Sequence, residues 1–445
     1  MNISHSTTVA IIGGGFSGLA AAYDLAKHGV AVTILESEPE TGGLAAAYEA
    51  GGEKLDRFYH HWFTNDRHVM ELIDELGLKN RVDINPTNTG VYYANTVFRL
   101  STPLDLLRFT PLPILDRIRL GLLTLRARRV KNWIELEGKS AADWLKELGG
   151  ETVYRVMWEP LLKGKFGSEA DEISAVWFWN KLKLRGGSRG KGGEERLAYF
   201  KGSFSAFADA LAARIEKSGG RIETGAKVLS IQRVGTSWAV ETQKGIITSE
   251  HVIATTALPL VADMIRNWAG KEYINSLERI KYLSNVCLVL ELDHSLSGTY
   301  WLNVNEPGFP FVGVIEHTNF ERPETYGGRH IVYLSKYLPH TDPLYGMNAL
   351  EMLDYAFPYL QQMFPKLERN WIVQHHLWKA RWSQPVVEKF YSQLIPPEVG
   401  PLQGFHLCSM AQIYPEDRGT NYAIRQGRAL ARKVLTIITS ANPSA

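Results

Sequence analysis

The chain has two cysteines in 445 residues, Cys287 and Cys408, too few for a disulfide framework and matching no metal spacing. Two buried thiols in a reducing compartment are expected, with no metal centre. An excess of one charge is also missing. Lys and Arg number 49 against 47 Asp and Glu, a net +2 that provides no basic surface on the nucleic-acid scale. No apolar run approaches the roughly 18 residues of a membrane span, and residues 1–8 are too short for a secretory leader. A cytoplasmic protein, soluble or peripherally membrane-associated, is the expectation. The chain has no internal repeats. At 45% apolar and 22% charged residues it is globular in composition, and its length suits two or three domains.

The informative stretch is residues 9–43, VAIIGGGFSGLAAAYDLAKHGVAVTILESEPETGG. An apolar β-prone run leads into Gly13, Gly14, Gly15, Phe16, Ser17 and Gly18, then into an Ala/Leu-rich helix. Gly13 permits the turn, Gly15 lets backbone approach a pyrophosphate, and Gly18 lets helix and strand pack closely. The helix N-terminus presents free N–H groups to phosphate. A second strand, 30–35, ends at Glu36, where a carboxylate accepts ribose hydroxyls; an acid there fits FAD or NAD and disfavours a 2′-phosphate. Gly42 and Gly43 follow where a simple dehydrogenase would be entering its next helix. They let a further backbone segment approach an extended cofactor, which selects FAD.

Three pieces have the character of one discontinuous cofactor domain: 1–56, 201–262 and 400–445. The second reads as helix, turn, strands and hairpin, ending in the apolar strand 251–255. The third reads as strand, turn-rich loop and a final helix from about Asn421, a second N-terminus able to hold phosphate or ribityl oxygens. Segments 57–200 and 263–399 carry most of the aromatic residues and are expected to form the substrate domain, with a helical part over about 99–200. Helices are predicted at 70–78 and 141–148, and strands at 285–292 and 329–338. The Gly/Lys/Arg run 185–196 reads as a mobile surface loop, with an active-site lid as the other reading.

With these pieces placed, the chain resembles the flavin-dependent amine oxidase superfamily, whose branches include protoporphyrinogen oxidase, phytoene-type desaturases and, more distantly, UDP-galactopyranose mutase. The resemblance spans nearly the whole chain. It is specific at IIGGGFSGLAAAYDLAKHG with Glu36, at GGL (42–44), around Val228, and at NYAIRQGRALA near the C-terminus. It implies an α/β fold: a Rossmann-type, glutathione-reductase-like FAD domain built from discontinuous segments, beside a mixed α+β substrate domain with an antiparallel sheet. It also implies non-covalent FAD, since Cys408 lacks the flanking pattern of covalent amine oxidases. On the family's pattern the ADP half lies along the glycine turn, Glu36 and Ser37, with Val228 touching adenine through its backbone. The rest of the cofactor lies near Gly42, Gly43, Leu44, Phe58, Tyr59, Thr255, Thr420, Asn421 and Tyr422.

Two departures qualify the match. The family's C-terminal Gly-Asp or Gly-Glu is replaced by residues 408–412, CSMAQ, leaving Gln412 or Asp417 to serve. The lysine that bonds a water near flavin N5 in amine oxidases is expected on a strand like YLSNVCLVLEL, which offers Ser284 and Asn285, with Lys281 too early. Amine oxidation proper is correspondingly disfavoured. DRFYHHWFTND (56–66) resembles the mutase segment that sets histidine beside the flavin, with His60 at that position and Phe63 where a second histidine would sit.

The candidate catalytic groups are His60 and His61, which titrate near neutrality, then Glu316 and His317 in a dense polar cluster, and Arg418, suited to a reduced anionic flavin. Each has a structural alternative: a hydrogen-bonding histidine, a solvated loop, an ion pair of Arg418 with Asp417 or Glu416. Trp177, Trp179, Trp378 and Trp382 either line a pocket or fill a core, core being the safer reading. Segment 99–131 carries eight basic residues against two acidic ones, net +6, interleaved with Leu, Ile and Phe. It reads as ordinary solvated helices or as a membrane-surface contact. Together these features point to an FAD-dependent oxidoreductase that removes hydride from a small-molecule substrate, largely apolar or lipid-linked, with oxygen or a quinone as reoxidant. The alternatives are a mutase-like sugar isomerase needing reduced flavin with no net redox, and a non-catalytic flavoprotein. The sequence assigns no oligomeric state.

Overall fold

The computed structural model describes residues 3–188 and 194–441. The continuous apolar run Val9–Ile12 is buried on both faces, as the inner strand of a parallel sheet must be. The strand Ile3–Ile12 pairs in parallel with Val32–Leu35 on one side and Gly245–Ala254 on the other. Beyond these lie Arg221–Glu223 and Phe405–Leu407, also parallel. Ser237–Thr242 and Val228–Val234 extend the sheet antiparallel as a hairpin ribbon. One sheet therefore draws strands from the first, middle and last parts of the sequence. Only backbone pairing brings Ile12, Ala254 and Leu407 to one edge, the edge at which the glycine turn begins.

The helix Phe16–Ala26 is buried on nearly every face, which its Ala-rich sequence permits. It is covered by the helix Thr420–Ala441, which starts within one residue of expectation. A Cβ added at Gly427 would stand 2.2 Å from the Ser17 carbonyl oxygen, so the two helices touch backbone to backbone. Ser203–Lys217 packs alongside, with Phe207 stacked on Phe16.

The second sheet has the order Ile372–Pro385, Tyr282–Leu292, His330–Leu338, Gly313–Glu316, Trp301–Val304, Thr89–Tyr93, Thr96–Arg99. All its pairings are antiparallel except that of Trp301–Val304 with Thr89–Tyr93. Helices are concentrated between Pro103 and Gly187, including Ile114–Arg129, Glu159–Phe166 and Ala175–Gly187. The helix predicted at 70–78 is Arg67–Glu75, and that at 141–148 is Ala141–Gly149. The run 185–196 is corrected at both ends: helix continues to Gly187 and a strand occupies Glu195–Phe200, while residues 189–193 lie outside the described residues. Both cysteines are fully buried thiols.

Candidate functional site

The glycine turn begins where Gly13, at φ +104, accepts the left-handed backbone that side chains avoid. Thr255 braces it, donating its hydroxyl to the Ile12 carbonyl at 2.8 Å. A Cβ at Gly18 would lie 2.1 Å from the Gly13 carbonyl oxygen, so strand and helix meet only through glycine. At Gly15 a Cβ would meet nothing within 4 Å. The turn is thus closed on its protein side and open at Gly15, just where free N–H groups begin the helix. That is the shape a diphosphate requires. Gly43 closes over the same place, its added Cβ falling 3.3 Å from Gly15 Cα, and Gly42 N–H donates to the Gly14 carbonyl at 2.8 Å. The second glycine pair therefore stands against the first.

Glu36 is buried at the end of its strand, accepting from Gly14 N–H at 2.6 Å and Glu38 N–H at 2.9 Å, with the Ser37 hydroxyl at 3.1 Å. Ala226 N–H donates to the Glu36 carbonyl at 2.7 Å, two residues before Val228. Phe16 faces the helix Ser203–Lys217, so only its backbone is available to a ligand.

The chain then turns through residues 57–63. Tyr59 lies edge-on to Trp301 (5.0 Å) and Tyr333 (6.2 Å). His60 stacks on Phe204 at 5.1 Å; burial and the nearby Arg418 push its imidazole down to about 3. His61 sits with Nδ1 3.0 Å from the Tyr300 hydroxyl, edge-on to Trp301. Phe58 is half-buried next to them. Thr420 and Asn421 fasten this segment to the start of the last helix: Trp62 Nε1 donates to Thr420 Oγ1 at 2.6 Å, and Val69 N–H to Asn421 Oδ1 at 3.1 Å. Tyr422 is covered by Arg425.

Gln412 does not substitute for the missing acid. Its Oε1 accepts from Ser409 N–H and its Nε2 donates to the Pro396 carbonyl, so its amide closes a local turn. Asp417 is the buried acid of this loop. It accepts from Trp177 Nε1 at 2.8 Å and pairs with Lys181 at 2.5 Å; against the cost of burial, Lys181, Lys165 and Arg418 hold its carboxyl well below the usual range. Arg418 pairs with neither expected acid. It donates to Gln384 Oε1 and the Tyr337 hydroxyl, each at 3.1 Å, while Glu416 is taken bidentately by Arg425.

Glu316 and His317 are corrected from candidate base to structural residues. The Glu316 carboxylate accepts from Ser295, Leu296 and Ser297, tying down that loop, and its oxygens are fully engaged. His317 is buried against the Tyr326 hydroxyl at 2.9 Å, pushed down to about 3 by burial and by His61. Neither side chain is in water. Of the tryptophans, Trp177 and Trp179 are core residues whose N–H groups bond Asp417 and the Ala127 carbonyl. Trp378 carries the Arg57 guanidinium over its ring, and Trp382 that of Arg381.

Sequence reasoning missed Lys165, Lys181 and Gln384. The signal was present for the two lysines: Lys165 falls three residues after Leu162, and Lys181 four after Trp177, both on inward helical stripes. Lys165 is surrounded by Trp177, Tyr337 and Phe166. In the amine-oxidase lysine position, Ser284 donates to the Arg381 carbonyl and Asn285 to Ser335, while Lys281 pairs outward with Glu169 and Glu388. Among the described residues no group of three His, Cys, Asp or Glu is placed to hold a metal, and no helix is long and apolar enough to cross a membrane.

Residues 16–435 match the family model described as flavin containing amine oxidoreductase. Mitochondrial protoporphyrinogen oxidase of Nicotiana tabacum is 28% identical over 175 residues, 38% of this chain and 35% of that protein. A probable zeta-carotene desaturase of Synechococcus elongatus is 29% identical over 190 residues, 38% of this chain and 40% of that protein. These alignments span well under half of the relatives' own length. A solved structure of reduced UDP-galactopyranose mutase superposes with a TM-score of 0.72 at 15% identity, covering 98% of this chain and 96% of that one, a likeness of fold.

Proposed function

The chain belongs to the family of flavin containing amine oxidoreductases, and on that footing we propose that it takes hydride from a largely apolar or lipid-linked substrate, as a desaturase, dehydrogenase or oxidase. It is an FAD-dependent oxidoreductase with a non-covalent cofactor; burial pushes the Cys408 thiol up to about 12, far from a reactive thiolate. The glycine turn, Glu36 and Val228 would hold the ADP half, and residues 42–44 with the start of the last helix the remainder. FAD supplies a hydride acceptor at N5 when bound.

One observation carries the substrate reading. The wall beside the 57–63 segment is aromatic, from Tyr59, Trp301 and Tyr333, and the buried His60 of that segment is not poised as a base. Asp417 is fixed as a carboxylate by Lys181, and His60 is held neutral. Such a wall orients a C–H bond against the flavin, and hydride transfer asks little of a base. Accordingly, the pH profile of flavin reduction is expected to carry no inflection from His60 between about pH 5 and 8. A His60→Gln variant should keep its shape, and an inflection lost in that variant would refute the assignment. The reading itself is tested by anaerobic mixing of oxidised enzyme with apolar and lipid-linked candidates, following bleaching near 450 nm. Bleaching supports it. Turnover only after dithionite reduction, with no net redox, would instead favour the isomerase reading.

Membrane contact draws on the segment 99–131. The helix Ile114–Arg129 is apolar on two faces: Leu120, Leu123 and Ala127 face the core, while Leu115, Ile118, Leu122 and Leu125 are exposed. Leu104, Leu107 and Ile114 continue the exposed stripe, with Arg119, Arg126 and Arg129 exposed on the same helix. A face of this kind suits an anionic lipid surface. Replacing Leu115 and Leu122 with Glu is expected to weaken binding to phosphatidylserine-containing vesicles more than tenfold, since each buried Leu contributes roughly 1.5–3 kcal/mol. Co-sedimentation checks this. Wild-type protein that stays with the supernatant at low salt would end the membrane reading.

A further inference from the structure

Around Asp417 one carboxylate faces three cations, Lys165, Lys181 and Arg418. Lys181 makes the ion pair. Arg418 gives two of its five donors to neutral acceptors, Gln384 and Tyr337. The ammonium of Lys165 makes no hydrogen bond or ion pair among the described residues. It rests 4.7 Å from the Trp177 ring, 5.1 Å from that of Tyr337 and 5.4 Å from that of Phe166. Cation–π contacts of this kind contribute about 0.5–2 kcal/mol, less than the several kcal/mol that burying an ammonium costs. Asp417 attracts this ammonium without touching it and already has Lys181 as its ion-pair partner, so structural stability accounts for only part of the reason a lysine stands here.

Lys165 and Arg418 come from different elements, the helix Glu159–Phe166 and the loop before Thr420–Ala441, and they meet at one residue of the substrate sheet. Arg418 holds the Tyr337 hydroxyl while Lys165 lies over the Tyr337 ring. Both are half-buried and keep accessible surface, so a ligand can reach them. Tyr59 stands beside Tyr337, and His60 beside Arg418. The two cations therefore adjoin the aromatic wall of the proposed hydride-transfer chamber.

We propose that Lys165 and Arg418, both in contact with Tyr337, form a subsite for an anionic oxygen group of the substrate, a carboxylate or a phosphate-like head. The inference rests on the reading of this chamber as the substrate site, and it narrows the substrate to an amphiphile with an apolar body and an anionic end. The anion anchors that end, and the aromatic wall receives the carbon chain to be oxidised.

The protonation of Lys165 gives the subsite a pH signature. Burial pushes its ammonium down to about 7, opposed by Asp417 and reinforced by Lys181 and Arg418, with Tyr337 the remaining titratable neighbour and His60 facing Arg418. The charged form dominates below that value, so an anion binds more tightly on the acid side. Between about pH 8 and pH 6 the protonated fraction rises about tenfold.

The test is isothermal titration of the FAD-loaded protein with butyrate and butanesulfonate, whose charges are constant over that range, with the flavin spectrum recorded alongside. Wild-type protein is expected to bind both about tenfold more tightly at pH 6 than at pH 8 and to shift the flavin bands. Lys165→Met should lose the pH dependence, bind at least about tenfold more weakly at pH 6, and melt no lower than wild type. Arg418→Gln should weaken binding yet keep the pH dependence, and Lys163→Gln, an exposed neighbour paired with Glu159, should behave as wild type. The wild-type pH dependence stands as a test even if a variant fails to fold. Absence of binding heat, or unchanged affinity in Lys165→Met, overturns the subsite. A change confined to the flavin's reduction potential also overturns it, assigning the cations to the reduced flavin itself. A protein that retains no FAD would fail earlier, at the reading of the chamber.

Discussion

Gly15→Asp is expected to yield a folded protein that no longer retains FAD. Gly15 caps the helix Phe16–Ala26 with φ −75, a backbone any residue adopts, and a Cβ there meets nothing within 4 Å. Aspartate is moreover a favoured helix N-cap, so the apoprotein should lose no stability. What the new carboxylate does oppose is a diphosphate held by the same helix N-terminus. Like charges at that distance in a partly buried site should weaken FAD at least ~100-fold, about 2.7 kcal/mol. Gel filtration with the absorbance ratio near 450 and 280 nm reads the loss, and a circular dichroism melt reads the fold. The control is Gly18→Ala, whose Cβ would fall 2.1 Å from the Gly13 carbonyl oxygen, and which should lose fold and cofactor together. Retention of FAD by Gly15→Asp would remove the diphosphate from this turn.

Asp417→Asn is expected to destabilise the protein by roughly 2–3 kcal/mol at pH 7. Removing one member of a wholly buried ion pair costs about 3–5 kcal/mol. The lower figure applies because the Lys181 side chain keeps 37% of its surface exposed, so water screens part of the loss. The effect has a pH direction. The folded-state carboxyl of Asp417 lies below its unfolded value, so its contribution is complete above about pH 4 and is lost as pH falls through the folded value. The difference between variant and wild type should therefore persist from about pH 5 to 8 and shrink in strong acid. Urea titrations at several pH values measure it. A variant as stable as wild type at pH 7 would mean that Lys165, Lys181 and Arg418 do not depend on this acid.

The two ends of the proposed cofactor site differed in how far they could be read from sequence. The glycine turn, Glu36 and Gly42–Gly43 were legible because they act locally, through turn geometry, a helix N-terminus and fixed spacing along one βαβ unit. Thr420 and Asn421 were legible by position, yet their role was not. They bond Trp62 and Val69, more than 350 positions away in the chain, and so fix the His60 segment to the last helix. Glu316 and His317 misled for a related reason. A polar cluster after an apolar strand reads the same whether it faces a pocket or anchors a loop, and only the turn at 295–297 for Glu316 and the Tyr326 hydroxyl for His317 decided between them.

By itself, then, the sequence determined the glycine turn and the βαβ unit around it, since turn geometry and a helix N-terminus are properties of neighbouring residues. It also carried the charge and apolar pattern of 99–131, but not that one apolar stripe of the helix Ile114–Arg129 would be left uncovered. The tertiary structure decided the cluster around Asp417. Lys165, Lys181, Tyr337, Gln384 and Asp417 come from five separate elements. Their charges and hydrogen bonds depend on distances of a few ångströms, which no local periodicity encodes.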